Sequence, residues 1–297
     1  MKMELRQLKY FAKAAELQNF TEASNLLFIT QSTLSQQIKQ LEEELGIPLF
    51  DRIAKRVRLT EAGKTFLPYA QKTIKDSEDG KNMLKDMMKL NTGALTIGVT
   101  YGLTNLLTKA VLEFAAQYPN IQLQISFGTT QELIAKLEQG QLDLMLSFSQ
   151  QEKNGGYHTT PLFSSCLALI VHTSHPMADR KQISIKNLNS LPLLLPSSGY
   201  SIRNYLDTLL QRNNLSLDLK MEVNDINTLL HLVNSGRWGT ILMGSSIFSH
   251  PDLKAVKITG EGMTRMANIT WPSGAYQKKS AATLSALLAN YAEDYVI

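Results

Sequence analysis

The side chains best suited to chemistry in this 297-residue chain lie between residues 20 and 63, and the chemistry is hydrogen bonding to a partner molecule. Ser32, Gln36, Lys39 and Gln40 recur on one side of a helical stretch, with Thr33, Ser35 and Gln37 on its flanks. A glutamine amide pairs with an adenine edge through two hydrogen bonds, and a serine or threonine hydroxyl serves a base or a phosphate. Such a face suits a DNA major groove, with Thr21, Thr30 and Gln31 as further donors beside it. A second cluster, Arg52, Lys55, Arg56 and Arg58, is the densest run of cations in the chain. At a hairpin tip, Lys55 and Arg56 suit a narrow A·T-rich minor groove, while Arg52 suits a phosphate. Alone, either cluster reads as a solvated surface; side by side they read as a DNA contact. Glu42, Glu43 and Glu44 repel phosphate, which confines groove entry to the N-terminal half of the helix.

The elements that position these groups follow from apolar spacing. Leu5, Leu8, Phe11, Ala12 and Ala15 recur as one face of a first helix. Asn19 or Thr21 caps a second, with Ala23, Leu26 and Leu27 inward, and Thr30 caps a third. Leu34, Ile38, Leu41 and Leu45 form the buried stripe of that third helix, opposite the polar face. Gly46 ends it, Ile47 to Phe50 return the chain to the core, and residues 51–60 form a two-stranded basic wing. From Glu61 to about Lys89 the pattern is one long helix. Leu67, Ala70, Ile74, Leu84 and Met88 make a near-heptad seam interrupted at Ser77 and Lys81, where a weak midpoint or a bend is expected.

After Gly93 strands alternate with helices, which implies mostly parallel sheets with both faces covered. Strands are expected at 95–99, 121–125, 142–146, 166–171, 193–195, 241–243 and 269–271, with a closing helix at 281–295. In such sheets ligands bind beyond the carboxyl ends of the strands, at helix N-termini. Three strand-to-helix turns there are rich in hydroxyls: Thr100 with Tyr101, Thr129 with Thr130, and the run containing Ser197, Ser198 and Ser201. Each turn alone is a simple helix cap. Three in corresponding positions favour a cleft for a small polar or anionic ligand, with Arg203 as a charge for its carboxylate. Trp238 reads as core.

Composition narrows the rest. Hydrophobic residues at 43% and charged ones at 19% describe an ordinary globular protein, and a net charge of +4 permits a polyanionic partner without demanding one. The lone cysteine, Cys166, sits in an apolar run, reads as a buried core residue and leaves no disulfide framework. No run approaches the ~20 apolar residues of a membrane span, so a cytoplasmic protein without a membrane partner is expected. The motifs G-x-S-x-G, H-E-x-x-H and the phosphate loop are absent, and His172 and His175 lack further ligand types beside them. No enzyme, metal site or cofactor is expected.

The order of these motifs resembles the LysR-type transcriptional regulators. The resemblance runs through Leu8-x-Tyr10-Phe11, Asn19-Phe20-Thr21-x-Ala23, Thr30-Gln31-Ser32-x-Leu34-Ser35-x-Gln37-Ile38, Leu41-Glu42-x-x-Leu45-Gly46, Leu49-Phe50-x-Arg52 and Leu59-Thr60-x-Ala62-Gly63. Farther on it includes Phe114-x-x-x-Tyr118-Pro119, Gly140-x-Leu142-Asp143-Leu144, His175-Pro176-Met177-Ala178 and Val233-x-x-Gly236. Ser32 departs from a frequent proline, Gln36 from a frequent arginine, and Gly244 from a usual proline.

The resemblance implies an α+β multidomain chain. Residues 1–60 form a winged helix-turn-helix, 61–91 a linker and dimerisation helix, and 92–297 an effector domain of periplasmic-binding-protein type. Lobe I of that domain takes about 92–160 and 267–297, and lobe II about 161–266. Further implications are a homodimer or tetramer, double-stranded DNA with inverted-repeat half-sites, and a small-molecule co-inducer. The alternatives are an architectural DNA binder with a non-sensing C-terminal domain and, against the evidence of the extra reader, a solute-binding protein.

Overall fold

Leu8, Phe11, Ala14 and Ala15 fall three to four residues apart, and all four are buried on the inner face of α1 (Leu5–Leu17). The computed structural model describes residues 3–53, 56–87, 92–149 and 156–295; at 52, 53, 56, 57, 85–87 and 149 it describes the backbone only. The chain divides into two compact units near residue 89.

In the first unit α2 (Phe20–Leu26) starts at Asn19, whose Oδ1 accepts the N–H groups of Thr21 at 3.0 Å and Glu22 at 3.2 Å. Of the two expected caps, Asn19 is the one used. The turn to α3 (Gln31–Leu45) passes through Phe28 at φ 53°, closed by the Ile29 N–H on the Ser24 carbonyl at 3.0 Å. Leu34, Ile38 and Leu41 are fully buried, and Gly46 at φ 72° ends the helix in a conformation that disfavours other residues. Strands β1 (Phe50–Ile53) and β2 (Arg56–Leu59) pair antiparallel, with Phe50 opposite Leu59. Phe11 and Phe20 both meet Phe50 edge-on, at 5.5 and 5.4 Å, which fastens the wing to the helices.

Helix α4 (Glu61–Met87) carries Gly63 in its first turn, where a Cβ would stand 2.1 Å from the Leu49 carbonyl oxygen. Only glycine permits that approach. The helix runs unbroken through Ser77 to Lys81. Its expected pairing seam is corrected in one respect: Leu67, Ala70 and Ile74 pack with Phe66 into the core of their own reader domain. Their apolar area is spent within the chain, while Tyr69, Met83 and Leu84 stay exposed. Met88 lies outside the described residues.

In the second unit the order is β3 (Gly93–Val99), α5 (Thr104–Gln117), β4 (Ile121–Phe127), α6 (Thr130–Glu138), β5 (Leu144–Ser149) and β6 (Tyr157–His172). Then come β7 (Gln182–Ser184), β8 (Pro192–Pro196), α7 (Ser201–Asn213), β9 (Asp218–Val223), α8 (Ile226–Val233) and β10 (Gly239–Met243). The last elements are β11 (Leu253–Thr259), β12 (Thr264–Pro272) and α9 (Lys279–Ala292). Strands β4, β3 and β5 run parallel in lobe I, and β9, β8 and β10 run parallel in lobe II. Strand β6 serves both lobes: its first part pairs with β12 and its second with β10 and β11. The two crossings are therefore the middle of β6 and the start of β12, where Thr264 lies opposite Cys166.

Leu95, Ile97 and Val99 share one face of β3 and have no exposure at all, while Gly98 on the other face packs beneath Leu133 and Leu142, as expected of a central parallel strand covered on both faces. Cys166, expected in the core, is only half-buried, because it stands where β6 leaves one lobe for the other. Among the described residues no helix is long and apolar enough to cross a membrane.

Candidate functional site

Two sites emerge, one in each unit. On α3 the Thr30 hydroxyl accepts the Thr33 N–H at 3.1 Å and is hydrogen-bonded with the Ser32 and Thr33 hydroxyls at 2.9 and 2.8 Å. Thr30 is thus exposed but occupied: it sets the start of the helix. Ser32, Thr33, Gln36, Lys39 and Gln40 are exposed along the face away from Leu34 and Ile38, and Gln31 is exposed at the first position of the helix. Ser35 and Gln37 are half-buried at the edge, and Gln37 donates to Gln40 at 3.1 Å. Thr21 is exposed on the first turn of α2.

The acidic run is not the uniform repulsive patch that its spelling implies. Glu42 turns inward, its Oε1 accepting the N–H groups of Leu49 at 2.8 Å and Phe50 at 3.0 Å. Of the three only Glu43 is exposed, 3.6 Å from Lys39. Glu42 therefore positions the wing. Within that wing Arg52 pairs in register with Val57 and Arg56 with Ile53, as a backbone ladder, while Lys55 lies outside the described residues.

The second site is the cleft between the two lobes. Thr100, Tyr101 and Thr129 line it from the turns after β3 and β4, and Tyr200, Ser201 and Tyr205 from the start of α7. Ser246 after β10 and Arg265 on β12 complete the polar lining, with Phe148, Ile226 and Leu242 among the apolar walls. Its volume is about 40 Å³. Tyr101 stacks on Phe127 at 5.1 Å and meets Tyr200 of the opposite lobe at 5.6 Å. Burial pushes the Tyr200 phenol above its ordinary pKa, with Tyr101 and Asp225 adding to the effect, so it stays neutral and donates to the Asn224 carbonyl.

The helix starts around the cleft differ. At α6 the Thr129 N–H is taken by the Glu132 carboxylate at 2.8 Å, and the Thr129 hydroxyl accepts the Glu132 N–H at 3.2 Å. At α7 no side chain caps the first turn. Thr100 is 6% exposed, and its hydroxyl has no hydrogen-bond partner among the described residues although it lines the cleft.

Four of the expected ligand residues thus share the cleft: Thr100, Tyr101, Thr129 and Ser201. Thr130, Ser197 and Ser198 do not line it. Arg203 is the clear correction. Its guanidinium is held by Asp207 at 2.9 Å, Glu222 at 2.7 Å and the Pro196 carbonyl at 2.9 Å, with 12% of its side chain exposed. Its charge is spent inside lobe II, pinning α7 to β8 and β9. The cation on the cleft is Arg265 instead, its Nη2 donating to the Phe148 carbonyl at 3.2 Å and its guanidinium 4.2 Å over the Tyr205 ring. A cation standing in an otherwise uncharged strand at the second crossing was the available signal for it. Trp238 packs against the lobe II core, beside Arg237.

Comparisons with known proteins agree with this arrangement. The family model described as the LysR substrate binding domain matches residues 89–293, and the one described as the bacterial regulatory helix-turn-helix protein, lysR family, matches residues 5–64. The HTH-type transcriptional regulator YwqM of Bacillus subtilis (strain 168) is 33% identical over 273 residues, covering 91% of this chain and 89% of that protein. Full-length OxyR from Pseudomonas aeruginosa shares the fold with a TM-score of 0.77 at 24% identity, over 97% of this chain and 95% of that one. Full-length CbnR in complex with its target DNA has a TM-score of 0.66 at 22% identity, over 97% and 100% of the respective chains.

Proposed function

The chain belongs to the LysR family of DNA-binding transcriptional regulators, and on that premise we propose that α3 reads base edges while a small molecule in the interlobe cleft sets how DNA is engaged. One observation carries the reading. A helix whose inner stripe of Leu34, Ile38 and Leu41 is wholly buried presents uncharged donors and acceptors, Ser32 and Gln36, on its free side. Major-groove readers take that form: apolar residues fix the helix and a few polar side chains reach the bases.

The wing cations, Arg52, Lys55 and Arg56, supply the sequence-independent part of affinity by displacing counterions from phosphates. In this reading Thr21, Gln31, Thr33, Ser35, Gln37 and Lys39 flank the base contacts, and Thr30 holds the helix that bears them. The exposed apolar side chains of Tyr69, Met83 and Leu84 on α4 support pairing of two chains, which places two readers on inverted half-sites. Pairs of such dimers give the tetramer. Action on DNA places the protein in the cytoplasm of a bacterial cell.

In the sensor domain, the effector residues of this reading are Thr100, Tyr101, Thr129, Ser201 and Arg265. A ligand that binds one arrangement of the lobes better than another shifts the population of assemblies, and only that differential affinity does so. Footprinting of the full chain on DNA enriched from a random pool tests the proposal. Two protected half-sites related by inversion are expected, with two chains bound per pair. Protection of a single asymmetric site by one chain would count against the paired readers.

A further inference from the structure

Building on the effector reading of the cleft, we propose that its ligand is a small planar aromatic monocarboxylate. Its carboxylate sits between Arg265 and the open first turn of α7, and its ring lies among Tyr101, Tyr200 and Tyr205.

The anion site rests on three independent features. Arg265 uses Nη2 on the Phe148 carbonyl, yet its buried Nε has no partner among the described residues. The first turn of α7 is uncapped and lines the cleft at Ser201 and Ile202, and the N-terminal end of a helix attracts negative charge. Tyr205 lies one turn beyond Ser201 on the same helix face, and Arg265 stacks on Tyr205, so guanidinium and open turn share one corner. The Thr100 hydroxyl, buried and unpartnered, is a further group waiting on that lining.

Charge decides the valence. Among the described residues of the lining Arg265 is the one cation and there is no carboxylate, so a single negative charge is matched. The acids that act on Tyr200, Asp225 and Glu132, are engaged at the starts of α8 and α6. The α6 start already holds the Glu132 carboxylate and so repels an anion. Apart from the hydroxyls of Thr100, Thr129, Ser201 and Ser246, the lining is mostly aromatic and aliphatic, which favours a ring over a phosphate ester.

Size links binding to movement. The cleft holds about 40 Å³. A dry apolar cavity that admits benzene is larger, about 150 Å³. A ring therefore needs Tyr101 and Tyr200 to part, and because these rings stand on opposite lobes, their contact couples binding to the lobe arrangement.

The test is calorimetric titration and thermal shift of the full chain with phenylacetate, phenylacetamide, acetate and inorganic phosphate. Phenylacetate is expected to bind at least tenfold tighter than the neutral amide, the ringless acid or phosphate. Arg265→Gln is expected to weaken it tenfold or more. Should that variant fold poorly, Thr100→Val keeps the test open: weaker binding is expected with an unfolding midpoint equal to or above that of the parent. The occluding variant Ser246→Trp separates two failures. Equal binding of the amide, or tighter binding of phosphate, lost in Ser246→Trp, overturns the ligand class and leaves the cleft standing. Phenylacetate binding that survives in Ser246→Trp overturns the cleft itself, and no binding by any of the four probes overturns the proposal.

Discussion

The ring of Tyr101 lies 5.6 Å from the ring of Tyr200, centroid to centroid, and this contact joins the two lobes across the cleft. Tyr101 follows β3 in lobe I, whereas Tyr200 stands at the start of α7 in lobe II. An aromatic pair of this kind contributes about 0.5–1.5 kcal/mol beyond its buried area. Tyr200→Ala is therefore expected to lower stability by at least that amount. It should also speed hydrogen exchange in the first turns of α5 and α7 while leaving α1 to α3 unchanged. Unaltered exchange at α5 and α7 would mean that the pair does not hold the lobes.

Arg203 is expected to matter for stability and not for ligand binding. Its guanidinium is nearly buried, but Asp207 and Glu222 are 39% and 42% exposed, so water screens the ion pairs. The bond to the Pro196 carbonyl adds a buried acceptor that would lose its partner. Arg203→Met should cost about 1–3 kcal/mol in urea unfolding. Ligand affinity lost at unchanged stability would put the guanidinium in the cleft after all.

A pH dependence follows from the two helix caps near the cleft. Hydrogen bonds from Thr228 hold the Asp225 carboxyl below its ordinary pKa, and hydrogen bonds from Thr129 do the same for Glu132. A depressed carboxylate contributes stability above its unfolded value, roughly pH 4, and loses it as pH falls through the lower folded value. Acid unfolding of the sensor domain should therefore steepen below about pH 4. Asp225→Asn keeps a good cap at neutral pH and should flatten that acid limb. An identical acid limb in the variant would show that the Asp225 cap carries none of the dependence.

The Thr30 cap makes a different kind of prediction for the reader. Removing it in Thr30→Ala is expected to cost about 0.5–2 kcal/mol of stability. DNA affinity should fall for every sequence alike, because the hydroxyl is engaged with Ser32 and Thr33 rather than held out for a base. A change in base preference would instead make Thr30 a direct contact.

The reader was largely legible in the sequence because its signals are local. Thr30, Leu34, Ile38, Leu41 and Gly46 announce a capped amphipathic helix through spacing alone, and α3 follows them. Long-range partnerships were not legible. Glu42 reads as part of an acidic run, yet it reaches seven and eight residues ahead to the start of β1. Arg203 reads as a free cation beside a hydroxyl-rich turn, but Glu222 on β9, a strand the periodicity did not reveal, takes it up. Arg265 shows the converse: its neighbour Tyr205 is sixty residues away in sequence, and only the crossing of β12 past α7 brings them together. The first half of the α4 seam, Leu67, Ala70 and Ile74, was misread for the same reason, since spacing shows an apolar stripe without showing which surface covers it.

The most direct test is enrichment of random-sequence DNA by the full chain and by Gln36→Ala. The parent is expected to enrich inverted half-sites, and the variant to lose about 1–3 kcal/mol of discrimination at one position in each half. Arg56→Ala, run beside it, should weaken all sequences evenly and reduce the salt slope by about 0.9 per contact. Enrichment of the same motif by Gln36→Ala, with every base preference intact, would contradict the reading of α3 as the element that meets the bases.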